Sequence, residues 1–375
     1  MKKVIITGVT GMDGSYMADY LLENTTCTII SGIRRLSNEN HKNITHLKGN
    51  PRFKLIDLDI TDSSNIEQVV RAEQPDYFIN FAANSFVGNS WTMPVNHMQT
   101  NCMAVLYQLE AIRKFAPKCR YYNAGSSEEF GDVLYSPQDE KHPLRPRSPY
   151  GASKASARML VKVYRESYNL YALQGWLFNH ESERRGVEFV TRKITTNIAR
   201  IKNEIQRGEE ITPLELGNLD AKRDWSHAED FVDGVWRMLN QDRYYLNDIA
   251  MYEGDASILE SDLPKYIKEY VLASGETHTI REFVEKAFAA ANLRGKWSYS
   301  MDAGLSLPLE QTEIFVSKDD PKVTLVKINP EFYRPAEVEL LLGDASIAKQ
   351  DLDWEPKTNF DKLVLRMVKY DLDNY

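Results

Sequence analysis

The feature that most constrains the fold is a glycine loop near the start of the chain, GVTGMDG at residues 8–14. Gly8, Gly11 and Gly14 come directly after a short apolar run at residues 4–6 and directly before a helical pattern. Glycines in this context permit a tight turn and close approach of a pyrophosphate, which the free N–H groups of a helix N-terminus stabilise. An ordinary strand-to-helix turn is the alternative, but the position after the first strand favours a dinucleotide site.

Short β-rich runs alternate with longer helical patterns through the first half of the chain, as in KKVIITG, SYMADYLLEN and CTIISGI. The alternation predicts an α/β fold, a Rossmann-type doubly wound parallel sheet followed by a smaller C-terminal α/β substrate-binding domain. We assign residues 1–178 to the nucleotide-binding domain, with a return of the chain to it after about residue 219, and residues 179–375 mainly to the second domain. Residues 240–275 are polar and acidic, and we interpret them as an inserted connection or lid.

Composition excludes several classes of protein. Apolar residues are 42% and charged residues 27% of the 375 residues, which is typical of a globular chain with two domains or one large elaborated one. The net charge of -8 argues against general attraction to nucleic acid or anionic lipid. Cys27, Cys102 and Cys119 are far apart and lack CxxC spacing, which predicts a reduced, cytoplasmic protein without a disulfide framework or zinc site. Neither a signal peptide nor a membrane span is expected.

The type of dinucleotide is indicated by the end of the second predicted strand. Sites for NAD usually offer an acid about 20 residues past the glycines, whereas NADP sites place arginine there for the 2′-phosphate. Arg34 and Arg35 follow Gly14 by 20 and 21 residues. The sequence therefore favours NADP over NAD, although adjacent arginines also occur in solvated surface loops.

A second motif, YGASK, places Tyr150 and Lys154 at i and i+4, so that both project from one helix face. An ammonium group beside a phenol, reinforced by a positive nicotinamide ring, is expected to lower the pKa of the tyrosine so that it can accept a proton from a sugar hydroxyl. With 20 tyrosines in the chain the motif alone is weak. Its position after the fifth strand of a sheet that begins with a glycine loop strengthens the interpretation.

Four polar side chains come together in NAGSSEEFG, residues 123–131. If the preceding strand continues to residue 128, its period of two places Ser126 and Glu128 on one side and Ser127 and Glu129 on the other. Ligands of such sheets bind at the carboxyl ends of the strands, so one of these pairs is expected to face the cofactor. A serine hydroxyl can hydrogen-bond a reacting sugar oxygen, and a carboxylate can remove a proton from carbon.

The longer motifs resemble one family. The glycine loop, NFAANS, SSEEFG and YGASK are superfamily-level motifs, whereas LFNHESERRGVEFVTRKI, LGNLDAKRDW and FYRPAEVELLLGD are similar to the GDP-mannose 4,6-dehydratases of the extended short-chain dehydrogenase/reductase superfamily. The resemblance runs from the N-terminus to about Lys357 and is broken mainly at residues 240–275 and around residues 295–325. It implies a lyase of nucleotide-sugar metabolism that serves deoxysugar biosynthesis.

In that family the cofactor accepts a hydride and returns it within one reaction. The resemblance implies that Tyr150, assisted by Lys154, deprotonates the C4 hydroxyl of GDP-mannose as hydride passes to NADP. Glu128 would remove the C5 proton as the C6 hydroxyl leaves as water, and NADPH would return the hydride to C6. Ser126, where the family usually has threonine, keeps the hydroxyl role. On this assignment Glu128→Gln abolishes elimination, whereas Glu129→Gln is tolerated because the family has an apolar residue there.

The resemblance also implies two sets of binding residues, one for each ligand. For NADP they are Gly8, Thr10, Gly11, Met12, Asp13, Gly14, Arg34, Arg35, Asp59, Ile60, Ala82, Ala83, Ser85, Tyr150, Lys154, His180 and Arg185. For the GDP-sugar they are Ser85, Ser126, Glu128, Asn179, Arg192, Lys193, Arg223 and Arg334. Arginines suit a diphosphate because their forked donors match its oxygens. No metal site is predicted.

Several departures from the family pattern leave the sugar open. Met12 replaces a glutamine, Asn84 a larger residue and Ser226 a glycine. A GDP-linked heptose or another GDP-hexose is therefore an alternative substrate, and a 4-reductase or epimerase is a further alternative that would not need Glu128. A non-catalytic NADP-binding regulator has no physical need for all four of the catalytic candidates.

The loop of residues 34–43 resembles the segment that reaches a neighbouring subunit's cofactor in this family. The resemblance therefore implies a homo-oligomer, a dimer or a tetramer.

Overall fold

The computed structural model describes residues 1–34, 40–243, 263–301, 311–333, 338 and 340–375. Two of the predicted binding residues, Arg35 and Arg334, lie outside the described residues, as do residues 35–39 of the loop of residues 34–43. Residues 244–262 of the predicted insertion lie outside them as well.

Sixteen strands are formed by the described residues. They are β1 Lys3–Thr7, β2 Thr28–Ile33, β3 Phe53–Asp57, β4 Tyr77–Asn80, β5 Arg120–Ala124, β6 Ala172–Leu177, β7 Asn179–Glu181, β8 Leu214–Leu216, β9 Lys222–Arg223, β10 Trp225–His227, β11 Val271–Leu272, β12 His278–Thr279, β13 Gly295–Met301, β14 Gln311–Ser317, β15 Thr324–Ile328 and β16 Leu340–Leu341.

The α-helices of the same residues are α1 Met12–Asn24, α2 Ser63–Glu73, α3 Pro94–Met98, α4 Ala104–Phe115, α5 Pro149–Tyr168, α6 Val190–Arg207, α7 Ala228–Leu239, α8 Leu263–Tyr266, α9 Ile280–Ala290, α10 Ser346–Leu352 and α11 Phe360–Asp373. Short 3₁₀ and π turns connect several of them.

The largest sheet has seven parallel strands in the order β11-β6-β5-β4-β1-β2-β3. Its central strands β1, β4 and β5 are buried along most of their length because helices cover both faces of the sheet. Val4 and Ile6 of β1 face a core shared with α1 and α7, whereas Ile5 faces the core beneath α2, α4 and α5. The order reverses between β1 and β4, and this is the topological switch point at which such sheets bind ligands.

A second layer of structure forms from the later part of the chain. The four-stranded sheet β13-β14-β15-β8 packs with α6, α9 and α11 around a separate apolar core. Ile194 and Ile198 of α6, Phe283 of α9 and Leu363 of α11 lie fully buried in that core. The described residues therefore contain a Rossmann-type sheet and a smaller α/β layer.

The end of the predicted insertion, residues 240–275, is not a lid. Val271 and Leu272 form β11, pair with Trp176 and Leu177 of β6, and are fully buried at the edge of the large sheet. Tyr270, just before them, is also fully buried. The segment as a whole is polar, so this short apolar run is difficult to recognise in the sequence. The run is buried because it forms the edge strand of the large sheet next to β6.

After β8 the chain returns to the large sheet, where α7 packs in the core that lies between the sheet and α1. The hydroxyl of Tyr20 on α1 donates a hydrogen bond to Asp233 on α7 at 2.7 Å, and both helices share one apolar core. No helix among the described residues has the length and apolar character needed to cross a bilayer.

Candidate active site

The glycine loop between β1 and α1 shapes the first cleft. Gly8 has φ of +71°, and a Cβ built on it would lie 2.7 Å from the backbone nitrogen of Ala82. A Cβ on Gly14 would overlap the carbonyl of Gly8, so this glycine lets α1 pack directly on the loop. No side chain caps α1 at Gly11, which leaves its first N–H groups available to an anion.

A cleft of about 610 Å³ opens over this loop at the carboxyl ends of β1, β2 and β4. It brings together the predicted cofactor residues Gly8, Thr10, Gly11, Met12, Asp13, Gly14, Arg34, Asp59, Ile60, Ala82, Ala83, Ser85 and Arg185. Asn40, His41, Gln99 and Thr100 also line the cleft and were not predicted. They come from loops and from a helical turn with no sequence signal for nucleotide binding.

A second cleft, of about 300 Å³, lies between the large sheet and the second layer. The predicted residues that line it are Ser126, Glu128, Tyr150, Lys154, Asn179, His180, Lys193 and Arg223. Asp13, Ser85 and Arg185 line both clefts. The two clefts therefore share a wall, and the reacting groups lie beside it.

The strand before the polar cluster ends earlier than the sequence predicts. β5 stops at Ala124, and Ser126 caps a short 3₁₀ helix over Ser127–Glu129, with its hydroxyl accepting the N–H of Glu128 at 3.2 Å. Strand parity therefore does not apply to these four residues, and that part of the sequence argument is wrong. Ser126, Ser127 and Glu128 all line the cleft.

Glu129 turns away from the cleft, but it is not a tolerant surface neighbour. Its side chain is completely buried and pairs with the guanidinium of Arg158 at 2.5 Å. Replacing it with glutamine would leave that buried cation without its full counter-charge, which is costly. The structure therefore leads us to expect that Glu129→Gln is not tolerated.

Tyr150 and Ser126 lie at the reactive end of the cleft, and both side chains line it. Tyr150 comes from α5, and Ser126 comes from the turn after β5. Burial, reinforced by the charge of Glu128, raises the pKa of Tyr150 to about 12, and the neighbouring Ser126 hydroxyl opposes this shift. The chain alone therefore does not lower the pKa as the sequence predicts. The positive ring that the same prediction invokes belongs to the cofactor.

Lys154 lies one turn along α5, with its ammonium 6.0 Å from the centre of the Tyr150 ring. It donates a hydrogen bond to the carbonyl of Ala124 at 2.8 Å, which ties α5 to the end of β5. Burial lowers the pKa of Lys154 to about 8, and the charges of Glu129 and Asp13 oppose that shift. The ammonium is thus held near the phenol in a site where its charge is only just maintained at neutral pH.

An ion pair links the two clefts at their shared wall. Nε2 of His180 lies 3.0 Å from Oδ1 of Asp13, and Nδ1 lies 2.8 Å from the carbonyl of Phe178. Both ring nitrogens face acceptors, so the charged imidazolium satisfies both. Although burial opposes these shifts, the pair raises the pKa of His180 and lowers that of Asp13. The ring also stacks on Phe231, at 4.4 Å between centroids.

The substrate side of the cleft contains cationic and aromatic groups. Lys193 places its ammonium 3.7 Å from the ring centre of Phe332, and burial lowers its pKa. Asn179 has a buried Oδ1 with no hydrogen-bond partner among the described residues. Arg185 stacks on Phe189 at 3.6 Å. Phe189 and Phe332 were not predicted, since isolated aromatic residues carry no sequence signal of a binding site.

Arg192 is the one described substrate candidate that the structure does not bring to the cleft. Its guanidinium is buried against the carboxylate of Asp371 on α11, and its Nε donates to the carbonyl of Arg185 at 3.3 Å. Its neighbour Lys193 reaches the cleft instead.

The site combines a glycine loop on a parallel sheet with Tyr150 and Lys154 of α5 and Ser126 of the turn after β5. This combination defines a protein of the extended short-chain dehydrogenase/reductase class. Solved structures agree at the level of fold. The chain superimposes on a dTDP-glucose 4,6-dehydratase from Bacillus anthracis in complex with NAD with a TM-score of 0.71 and 20% identity, covering 100% of this chain and 97% of that one. It also superimposes on RMD from Pseudomonas aeruginosa complexed with NADPH with a TM-score of 0.71 and 17% identity, covering 100% of both chains.

Sequence comparisons narrow the class. A family model described as GDP-mannose 4,6 dehydratase matches residues 5–260 and 252–367. The GDP-mannose 4,6 dehydratase of Drosophila melanogaster is 39% identical over 99% of this chain and 86% of its own length. The corresponding human protein is 37% identical over 98% of this chain and 91% of its own. The chain belongs to the GDP-mannose 4,6-dehydratase family.

Proposed function

We propose that the protein is a lyase that converts GDP-mannose to its 4-keto-6-deoxy derivative, with NADP as an internal hydride carrier. The observation that carries this proposal is that Tyr150, Ser126 and Glu128 line one cleft, beside the wall that this cleft shares with the nucleotide cleft. A reductase or epimerase acting at C4 needs the first two groups but has no task for a carboxylate next to C5.

The larger cleft fits a dinucleotide. Gly8 and Gly14 leave a cradle that a Cβ would fill, the uncapped start of α1 suits a pyrophosphate, and Asp59 and Arg34 line the far end of the cleft. Arg34 and Arg35 would hold the 2′-phosphate that distinguishes NADP from NAD. When bound, NADP accepts hydride from C4 of the sugar and returns it to C6.

The chemistry at C4 is assigned to three side chains of this protein. Tyr150 takes the proton of the C4 hydroxyl, Ser126 orients the C4 oxygen by hydrogen bonding, and Lys154 stabilises negative charge on the phenol. The burial that raises the pKa of Tyr150 to about 12 also excludes water, so the phenol needs this positive charge to act as a base.

Glu128 carries the elimination. The 4-ketone acidifies the C5 hydrogen, Glu128 removes it as a proton, and the C6 hydroxyl leaves with that proton as water. A hydride is then taken up at C6 and a proton at C5, and this proton balances the one that Tyr150 takes from the C4 hydroxyl. The sum of the steps is therefore loss of one water without net oxidation.

The other side of the smaller cleft suits a GDP group. Lys193 and Arg223 line it and can neutralise a diphosphate, and the buried Oδ1 of Asn179 offers an acceptor to a substrate donor. Arg334 is assigned to the same diphosphate by family resemblance. Phe332 contributes an apolar surface beside Lys193.

Cell location and assembly follow as further parts of the proposal. Cys27, Cys102 and Cys119 are buried and unpaired, which supports work in the reducing cytoplasm. A homo-oligomer, a dimer or tetramer formed through the loop of residues 34–43, is proposed from the family resemblance.

The test is incubation of purified protein and NADP with GDP-mannose and a panel of GDP-sugars, without added reductant, followed by mass analysis. The proposal expects GDP-mannose to lose the mass of one water with no net accumulation of NADPH. Turnover of a GDP-heptose but not of GDP-mannose would favour the second candidate, which Asn84 and Ser226 keep open. Binding of NADP without turnover of any sugar would indicate a regulator.

A further inference from the structure

We propose that Glu129 is a positioning residue, which holds the turn bearing Ser126 and Glu128 in place and stabilises the ammonium of Lys154, with Arg158 as its counter-charge. This inference rests on the proposed function, because Glu129 would act on the groups to which that function assigns the reaction. Glu129 itself faces away from the cleft.

The contacts of Glu129 reach three different elements. Its Oε1 accepts the backbone N–H of Ser126 at 2.8 Å and Nε2 of Gln174 on β6 at 2.9 Å. Its Oε2 accepts Nε of Arg158 on α5 at 2.5 Å. The Ser126 contact completes a capping box, since Ser126 accepts the N–H of Glu128 in return. Loss of Glu129 would therefore free the backbone from which both Ser126 and Glu128 project.

Arg158 is fixed by several partners of its own. Its guanidinium lies 3.5 Å from the ring centre of Trp176, donates to the carbonyl of Gln174 at 2.6 Å, and pairs with Glu269 at 2.8 Å. A buried ion pair is stable only when its remaining donors and acceptors are satisfied, and this one is. The carboxylate of Glu129 is thus held at one orientation.

The same charge acts on Lys154. Burial lowers the pKa of Lys154, and Glu129 is the strongest of the two charges that oppose the shift, ahead of Asp13 on α1. The other charged groups that face Glu129 are Arg158 from α5 and Glu269 from the segment before β11. Asp13 is paired with His180 at the nucleotide cleft, whereas Glu129 is paired with Arg158 in the core.

Glu129 lies in the core, where its side chain is completely buried. A carboxylate introduced there alone would be destabilising, because burying an unpaired charge costs several kcal/mol. Here the carboxylate is present together with Arg158, and its second oxygen binds the catalytic turn. The pair is therefore a feature of this chain that connects its core to its active site.

The test compares the wild-type protein with Glu129→Gln, measuring kcat and KM for GDP-mannose across pH. We expect KM to be unchanged and kcat to fall by up to about 100-fold, the effect of misplacing reacting groups by about 1 Å. The alkaline limb of kcat, set by the Lys154 pKa of about 8, should move to lower pH because the ammonium loses one of the two negative charges that oppose the effect of burial on its pKa. Titration of isotope-labelled lysine by NMR should show the same displacement without turnover.

Two further variants separate positioning from folding. Glu269→Gln also removes a carboxylate from Arg158 but touches neither Ser126 nor Lys154, so it should lower thermal stability and leave the alkaline limb unchanged. The double variant Glu129→Leu/Arg158→Met replaces the ion pair with an apolar pair and should keep the fold stable. In this double variant the alkaline limb of kcat should nevertheless move to lower pH, as in Glu129→Gln.

The inference is overturned if the Lys154 titration and the alkaline limb stay at their wild-type pH in both the single and the double variant. A wild-type protein that fails to convert any GDP-sugar refutes the proposed function instead. In that case the NMR titration still decides whether Glu129 supports Lys154.

Discussion

The backbone carbonyl of Glu128 lies against Gly151, so closely that a Cβ built on Gly151 would be 2.5 Å from the carbonyl oxygen. This contact lets the first turn of α5, which carries Tyr150, rest on the turn that carries Glu128. Gly151→Ala should raise helix propensity by about 1 kcal/mol yet push the two elements apart. We expect kcat for sugar dehydration to fall by up to about 100-fold, as measured in steady-state assays.

Ser156→Ala, on the same helix and farther from the turn, is the matched control and should retain turnover. Wild-type activity in Gly151→Ala would mean that the contact does not set the position of Tyr150.

Glu128→Gln tests the elimination step itself. Glutamine has similar size but cannot accept the C5 proton, so the dehydrated product should disappear while oxidation at C4 still occurs. The expected signature is a single burst of NADPH absorbance in a mixture that yields no dehydrated sugar by mass. Asp132→Asn, an exposed carboxylate paired with Arg145, is the control and should behave as the wild type. Dehydrated product at the wild-type rate from Glu128→Gln would remove Glu128 from the mechanism.

Arg34 lines the nucleotide cleft and provides a test of cofactor choice. If its guanidinium binds the 2′-phosphate, Arg34→Ala should weaken NADP binding roughly 10- to 100-fold, the value of one charge-assisted hydrogen bond, and leave NAD binding unchanged. Calorimetric titration with each nucleotide measures the dissociation constants of NADP and NAD for the wild type and the variant, and their ratio reports the change in cofactor choice. Arg71→Ala, on the outer face of α2, serves as a surface control. Equal weakening for both nucleotides would assign Arg34 to the pyrophosphate or to the fold.

Arg192 and Asp371 form a buried pair that joins α6 to α11. Arg192→Gln and Asp371→Asn should therefore both lower the free energy of unfolding, by about 3–5 kcal/mol in denaturant titrations. KM for the GDP-sugar should remain similar in the two variants. A rise in KM for Arg192→Gln alone would restore Arg192 to the substrate site that the family resemblance gives it.

Much of the fold follows from the sequence because parallel strands buried on both faces leave a strong signal. Residues 4–6 are uninterrupted apolar residues, and the glycines that follow them include Gly8 and Gly14, where a Cβ would overlap neighbouring backbone atoms. The nucleotide cleft was predicted for the same reason, since its lining comes mainly from the ends of consecutive strands.

The polar cluster was harder to predict because a local motif ended the strand. Ser126 and Glu129 have the spacing of a capping box, S-x-x-E, and this motif starts a short 3₁₀ helix where the alternation of a strand was expected to continue. The partner of Glu129 lies far along the chain at Arg158, and no sequence pattern connects the two.

Arg192 and Lys193 illustrate a different limit. Adjacent residues on a helix point about 100° apart, so only one of two neighbouring cations can face a given cleft. The packing of α11 against α6 decides that Lys193 faces it. That packing depends on Asp371, near the end of the chain, and is not visible in the motif.

The position of β11 has a consequence for how the protein is made. Val271 and Leu272 pair with β6, so the edge of the nucleotide-binding sheet is completed by residues synthesised long after the other six strands. Until these residues leave the ribosome, β6 has an open edge that can pair with another chain. Folding of the first half must therefore wait for a distant segment, and truncation before Val271 should yield aggregating rather than independently folded protein.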